Sequence, residues 1–214
     1  NAWRHTLKTL DTAARVKARL VVLHYGSVDL KGYTEKLEDL AGRGQRTSAK
    51  YDQLCAELTG KREALKEDAM ARAGELLARL VPEARARGLK LGIENREALE
   101  EVPFDADFSL FLREFNQPEI GYWHDTGHAQ IKENLGFIHH AMHLESLAPR
   151  LFGFHLHDVE FPGKDHRPPG TGMIDFAALR PFVRPEHLKV FEMSPGVPAE
   201  EVRRGVAHLQ ALWG

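Results

Sequence analysis

The stretch Ile120-Gly121-Tyr122-Trp123-His124-Asp125-Thr126-Gly127-His128 holds the key to the chain. Its first five residues are β-branched, aromatic or small, and the run stops on an acid followed by a glycine turn, which reads as a short buried strand giving way to a loop. The pattern recurs in four other runs, at residues 19–25, 89–94, 151–158 and 188–193. Glu94, Asp125, His155 and Glu192 each stand where such a run yields to a loop. Between the runs the periodicity predicts helices at 61–87, 107–115, 135–147, 176–182 and 198–212, and Trp3, Leu7, Leu10 and Ala14 form an apolar helix face leading into the first strand. Pro82 is expected to interrupt or kink the longest helix and Gly88 to end it.

Strands alternating with helices imply βα units and a parallel sheet covered by helices. Two observations favour a (β/α) barrel over an open doubly wound sheet. No glycine-rich phosphate turn follows a strand, and polar residues close every strand rather than gathering at one crevice. Five strands do not close an eight-stranded barrel, so the expectation is either that three strands lie upstream of Asn1, in keeping with the abrupt opening there, or that the fold is an open fragment. No linker or low-complexity tract divides the 214 residues, so a single domain over 1–214 is expected.

Formal net charge is −2, with basic and acidic residues interleaved, which gives no footprint for a nucleic-acid partner. Cys55 is the sole cysteine, so no internal disulfide forms. Together with the lack of a long apolar run or a signal-peptide pattern, this predicts a cytoplasmic protein without a membrane partner.

Period-two alternation places Glu94 on one face with Gly92, Asp125 with Gly121 and Trp123, and His155 with Gly153. Small residues beneath the polar ones leave room for them to point into one mouth. Taken singly, a strand-end carboxylate usually caps a helix or faces water. Three of them crowded at one mouth would repel each other and push their pKa values up unless a cation neutralised them. Carboxylate oxygens with one imidazole suit Mn²⁺, Mg²⁺ or Co²⁺, with Zn²⁺ as a further candidate. Such an ion would polarise a carbonyl and stabilise an enediolate while a nearby carboxylate moves a proton.

Other residues are weighed by position. His128 follows Asp125 by three residues, and a tight turn at Gly127 would bring both to one site as a second-site ligand or substrate donor. His24 ends the first strand, and His166 lies in a Pro/Gly-rich segment that would cover the mouth. Arg96 and Arg167 are candidates for an anionic group, against the plain reading of solvated arginines. One of His157 and Asp158 is expected to orient a ligand. His139, His140 and His143 read as surface residues of a helix, and His124 gives no separable signal.

These same motifs carry a resemblance. Glu-Asn-Arg at 94–96, Asp-Thr-Gly-His at 125–128, His-Leu-His-Asp at 155–158, the Pro-Gly-x-Gly-x-Ile-Asp-Phe loop at 169–176 and a last strand leading to Glu192 resemble the xylose isomerase-like TIM barrels, over residues 10–196. The resemblance implies the last five βα units of a (β/α)8 barrel and makes Glu94, Asp125, His155 and Glu192 metal ligands. It also implies that Glu94 and Glu192 are the acid/base pair on opposite substrate faces. His128 matches a histidine that contacts substrate or a second metal, while His24 and His166 match histidines beside the metals in the endonuclease IV branch. Lys164 stands where that branch has an acid, and Thr171 stands where a Glu is common between the loop glycines. The expected function is isomerisation or epimerisation of a carbohydrate substrate. The alternatives are cleavage at abasic DNA by a metal cluster and a catalytically inactive metal-binding member. Open sheet edges would also favour a homo-oligomer.

Overall fold

The computed structural model describes residues 2–214. Its centre is a five-stranded parallel sheet of β1 (Leu20–Leu23), β2 (Lys90–Glu94), β3 (Ile120–Asp125), β4 (Leu151–Leu156) and β7 (Leu188–Phe191), paired in that order. A two-stranded antiparallel ribbon, β5 (Asp158–Glu160) and β6 (Lys164–Arg167), follows β4 directly. The helices are α1 (Ala2–Arg15), α2 (Tyr33–Gly42), α3 (Ala49–Ala86), α4 (Phe108–Glu114), α5 (Thr126–Leu135), α6 (His140–Leu147), α7 (Phe176–Leu179) and α8 (Ala199–Trp213). Successive sheet strands are neighbours and all pairs are parallel, so the chain crosses over through helices between them, as in a partial TIM barrel. Among the described residues no helix is long and apolar enough to cross a membrane.

One face of the sheet carries Leu91, Ile93, Tyr122, Phe154 and Leu156, all fully buried in a core with Leu77 and Leu80 of α3, Phe108 of α4 and Ile131 of α5. Each such side chain contributes roughly 1.5–3 kcal/mol of burial. The other face carries the glycines, and there the expected open room is taken by aromatic rings. A Cβ at Gly121 would lie 2.6 Å from the Phe152 ring, and one at Gly153 would lie 2.6 Å from the Trp123 ring. The small residues therefore admit Trp123 and Phe152 as a floor under the polar mouth.

The structure departs from the sequence reading in four places. The fourth strand stops at Leu156, because the chain turns there into the β5–β6 ribbon. Pro82 lies inside α3 without ending it. Leu77, Leu80, Val81 and Ala84 around it are buried, and that burial outweighs the roughly 3 kcal/mol cost of an internal proline. The helix expected at 135–147 begins only at His140, and an unexpected helix, α5, precedes it over Thr126–Leu135. Asp125 caps α5, Gly136 ends it in a left-handed conformation (φ 84°), and α6 starts at His140.

The fourth departure, α2, has a start with no local signal. Gly32 offers no side-chain cap. The buried Glu100 carboxylate does that work from 66 residues away, accepting from Tyr33 N at 2.7 Å, Thr34 N at 3.2 Å and the Thr34 hydroxyl. Glu100→Ala leaves three donors without a partner. A loss of roughly 2–4 kcal/mol is expected, measured by urea unfolding, and a loss below about 0.5 kcal/mol would show the cap to be dispensable.

Candidate metal centre

Parallel pairing brings the strand ends level. Glu94 is in register with Trp123, and Asp125 with His155, so residues from three strands meet at one end of the sheet. Glu94, Asp125 and His155 each place a ligand atom within 4.8 Å of the others. His155 Nδ1 is the hub, at 2.6 Å from Glu94 Oε1, 3.7 Å from Asp125 Oδ2 and 3.2 Å from Glu192 Oε2. Glu192 follows β7 on the rim and its side chain is 46% exposed, whereas Glu94 and Asp125 are buried.

The electrostatics follow from this packing. Burial opposes the charge on Glu94, but hydrogen bonds from His155 and His24 win and hold its pKa down to about 2. Asp125 is likewise buried and yet held well below its ordinary value, by the neighbouring imidazoles of His128, His157 and His155. Burial would lower His155, but the Asp125 and Glu94 carboxylates outweigh it and raise the imidazole to about 10. A protonated imidazole is thus the local counter-charge to the acids.

The remaining expected residues lie around this centre. His24 Nε2 is 2.8 Å from Glu94 Oε2. Arg96 is not a solvated surface arginine. It donates to Glu94 Oε2 and, at 3.0 Å, to Glu101 Oε1, and its side chain is only 17% exposed. His128 is reached through the first turn of α5 rather than a tight turn. Its backbone N–H donates to Asp125 Oδ1 at 2.8 Å, and its ring Nδ1 lies 3.0 Å from the Asn95 carbonyl. His166, on β6, sits in the left-handed region at φ 54° with Nε2 3.9 Å from Glu192 Oε1. A non-glycine residue held there stores backbone strain, which is common at functional sites.

Between the two candidates for orienting a ligand, His157 and Asp158, the structure divides the labour. His157 Nδ1 accepts from the His166 N–H at 2.9 Å. Its proton is therefore on Nε2, which reaches Asp125 Oδ1 at 3.0 Å and Oδ2 at 3.1 Å. Gly127 must lack a side chain, since a Cβ there would overlap the His157 ring. Asp158 accepts from the N–H groups of Val159, Gly170, Gly172 and Ile174, and so folds the 169–175 loop beside the mouth.

Two residues beside the site, Glu97 and Asp165, had no sequence signal. Glu97, His128 and Asp165 form a second group with ligand atoms within 4.8 Å, and His157, Asp165 and His166 form a third. Asp165 is one residue from the exposed Lys164, so the ribbon does bring an acid to His166, at 2.9 Å. Of the three helix histidines read as surface residues, only His139 is exposed. His140 and His143 are buried, and His140 Nε2 is 2.9 Å from Nε2 of the buried His124. Burial pushes both His124 and His140 down, His140 to about 3, so both are neutral.

The sequence matches the family model described as xylose isomerase-like TIM barrel over residues 1–212. No curated protein matches it. Among solved structures it is similar to a D-tagatose 3-epimerase-like protein (15% identity, TM-score 0.66, covering 96% of this chain and 66% of the other). It is similar to the D-psicose 3-epimerase of Clostridium cellulolyticum H10 (13%, TM-score 0.68, covering 100% and 71%). It is also similar to a Thermus thermophilus protein soaked with ZnCl2 (24%, TM-score 0.61, covering 98% and 67%). At these identities the likeness is one of fold, and the chain spans about two thirds of the length of each.

Proposed function

The chain belongs to the xylose isomerase-like TIM barrel family, and from that premise we propose that it is a divalent-metal-dependent isomerase or epimerase of a sugar, sugar phosphate or related polyol carbonyl. The observation that carries the reading is the convergence of Glu94, Asp125 and His155 within 4.8 Å, with Glu192 3.2 Å from the same imidazole nitrogen. Two buried carboxylates, a rim carboxylate and an imidazole fit a hard or borderline ion, with Mn²⁺, Mg²⁺ or Co²⁺ favoured over Zn²⁺. Glu94, Asp125, His155 and Glu192 would hold it. When bound, such an ion supplies Lewis acidity toward a substrate carbonyl oxygen.

The chain's own residues supply the rest. Glu192, on the open rim, takes a proton from the carbon next to the carbonyl. Glu94, kept ionised by His155 and His24, is the second carboxylate, on the buried side. His128, His24 and His166 line the mouth as hydrogen-bond partners for hydroxyl groups, and Arg96 fixes the Glu94 carboxylate. The decisive experiment supplies Mn²⁺ and a panel of ketoses and inososes in deuterated water, and follows deuterium uptake at the carbon next to the carbonyl by NMR. Uptake that requires both protein and ion supports the reading. A complete panel without uptake contradicts it.

His155 gives a second test. Raised to about 10, it is protonated at neutral pH, whereas a metal ligand must offer a lone pair. Ion binding is expected to release about one proton per Mn²⁺ between about pH 7 and 9, read with an indicator dye in weak buffer. Stoichiometric binding without proton release would remove His155 from the ligand set.

The second and third ligand groups favour one other reading, a multi-ion phosphodiesterase acting at abasic sites in DNA. Nicking of such DNA by the Zn²⁺-loaded protein would establish it. The charge of −2 argues against it, because phosphate-backbone binding normally draws on a basic footprint.

A further inference from the structure

Asn95 takes no part in the chemistry above, and it is fully buried. β2 ends one residue before it, at Glu94, and the last main-chain bond to β3 is a long one, from the Asn95 N–H to the Trp123 carbonyl at 3.4 Å. The Asn95 side chain continues the pairing beyond it. Its Oδ1 accepts from the Asp125 N–H at 2.8 Å, and its Nδ2 donates to the Asp125 carbonyl at 2.9 Å. A two-point grip on one residue fixes the height and tilt of the peptide from which the Asp125 carboxylate projects. The Asn95 main-chain carbonyl makes a third bond, accepting from His128 Nδ1 at 3.0 Å. A carbonyl only accepts, so His128 carries its proton on Nδ1 and keeps the lone pair on Nε2.

A buried polar cluster lies behind the amide. The Tyr122 hydroxyl lies 3.0 Å from Asn95 Oδ1 and 2.8 Å from His124 Nδ1. His124 leads to His140 at 2.9 Å, and His140 Nδ1 to Gln130 Oε1 at 3.2 Å. Gln130 Nε2 is engaged by Glu133 and Asn134, which fixes its oxygen toward His140. Every member from Tyr122 to Gln130 is buried. With Gln130 Oε1 as acceptor, His140 donates from Nδ1 and His124 from Nε2, so the single Tyr122 hydroxyl proton goes to His124 Nδ1 and the Asn95 amide is held by its bonds to Asp125.

We propose that Asn95 is a positioning residue that sets the direction of Asp125 and the tautomer of His128, and so the affinity of the mouth for its ion, without touching that ion. The inference rests on the metal reading above. It explains the residue type: an aspartate here would set an oxygen against the Asp125 carbonyl, and an alanine would release both bonds.

The test is Mn²⁺ affinity, read from the EPR signal of the free ion, in wild type, N95A, N95D and a core control, L144A, whose leucine is fully buried on α6. N95A is expected to weaken binding about 10- to 100-fold, while L144A lowers thermal stability and leaves affinity unchanged. N95D separates positioning from charge. A new negative charge would by itself tighten a cation, whereas misplacement of Asp125 weakens it, so weaker binding is expected. Wild-type affinity in N95A, or tighter binding in N95D, overturns the proposal, and N95D decides alone if N95A does not fold. Absence of Mn²⁺ binding in wild type would instead bring down the metal reading, and this proposal with it.

Discussion

Glu192→Gln is expected to abolish proton exchange at the substrate while leaving the fold intact. The side chain is 46% exposed on the rim, and the backbone of Glu192 is anchored by its own N–H, which donates to the Leu156 carbonyl at 3.2 Å. Glutamine preserves that anchor and the side-chain shape. It neither accepts a proton as a base nor carries the charge that faces His155 Nδ1 at 3.2 Å. Loss of a general base typically costs 10²–10⁴ in rate, whereas substitutions at exposed positions stay within about 0.5 kcal/mol in stability. The two readouts are the rate of deuterium uptake and the urea midpoint. Activity within about tenfold of wild type would refute the acid/base role.

Asp125→Ala should have the opposite profile, costing stability as well as ion binding. Asp125 caps α5 through the His128 N–H at 2.8 Å and accepts from His157 Nε2 at 3.0 Å, and it is fully buried. Truncation removes a cap and strands a buried imidazole donor, for an expected loss of about 3–5 kcal/mol. The pH dependence gives an independent check. Asp125 and Glu94 are both held below their ordinary values. The stability they give is complete above the unfolded carboxylate range and is lost as pH falls through their depressed values, about 2 for Glu94. His155, raised to about 10, contributes with the opposite sign: its share is complete below the ordinary histidine value and is lost as pH rises through 10. The alanine variant should therefore show a shallower loss of stability in acid than wild type, measured by urea unfolding from pH 7 downward. An unchanged acid slope would show that Asp125 contributes no linkage.

The residues visible in advance and those that were not differ in a physical way. Strands are short-range objects. Alternation within five or six residues reveals both the strand and the residue at its end, and a parallel βα chain then carries all such ends to the same side. Glu94, Asp125, His155 and Glu192 were therefore legible before any contact was known. So was the later part of α3, although its start at Ala49 and its passage through Pro82 were not. The cap on α2 was invisible because its acceptor, Glu100, is 66 residues away in the chain.

The histidines make the sharper contrast. An imidazole has no fixed preference for core or surface, so the pattern around His139, His140 and His143 does not sort them. Packing against His124 and Gln130 buries His140 and leaves His139 in solvent. His157, Asn95 and Asp165 acquire their roles through partners on other strands or across the β5–β6 ribbon, at separations that local periodicity does not encode.

The sequence alone thus determined which strand ends carry acids and an imidazole, because side-chain direction along a strand is set by backbone geometry within a few bonds. The tertiary structure alone decided how those groups are charged, held and turned toward the mouth. Burial, tautomer and hydrogen-bond partner depend on which distant segments come within about 3 Å of each other, and only the folded chain brings His157 to Asp125 and the Asn95 amide to the Asp125 backbone.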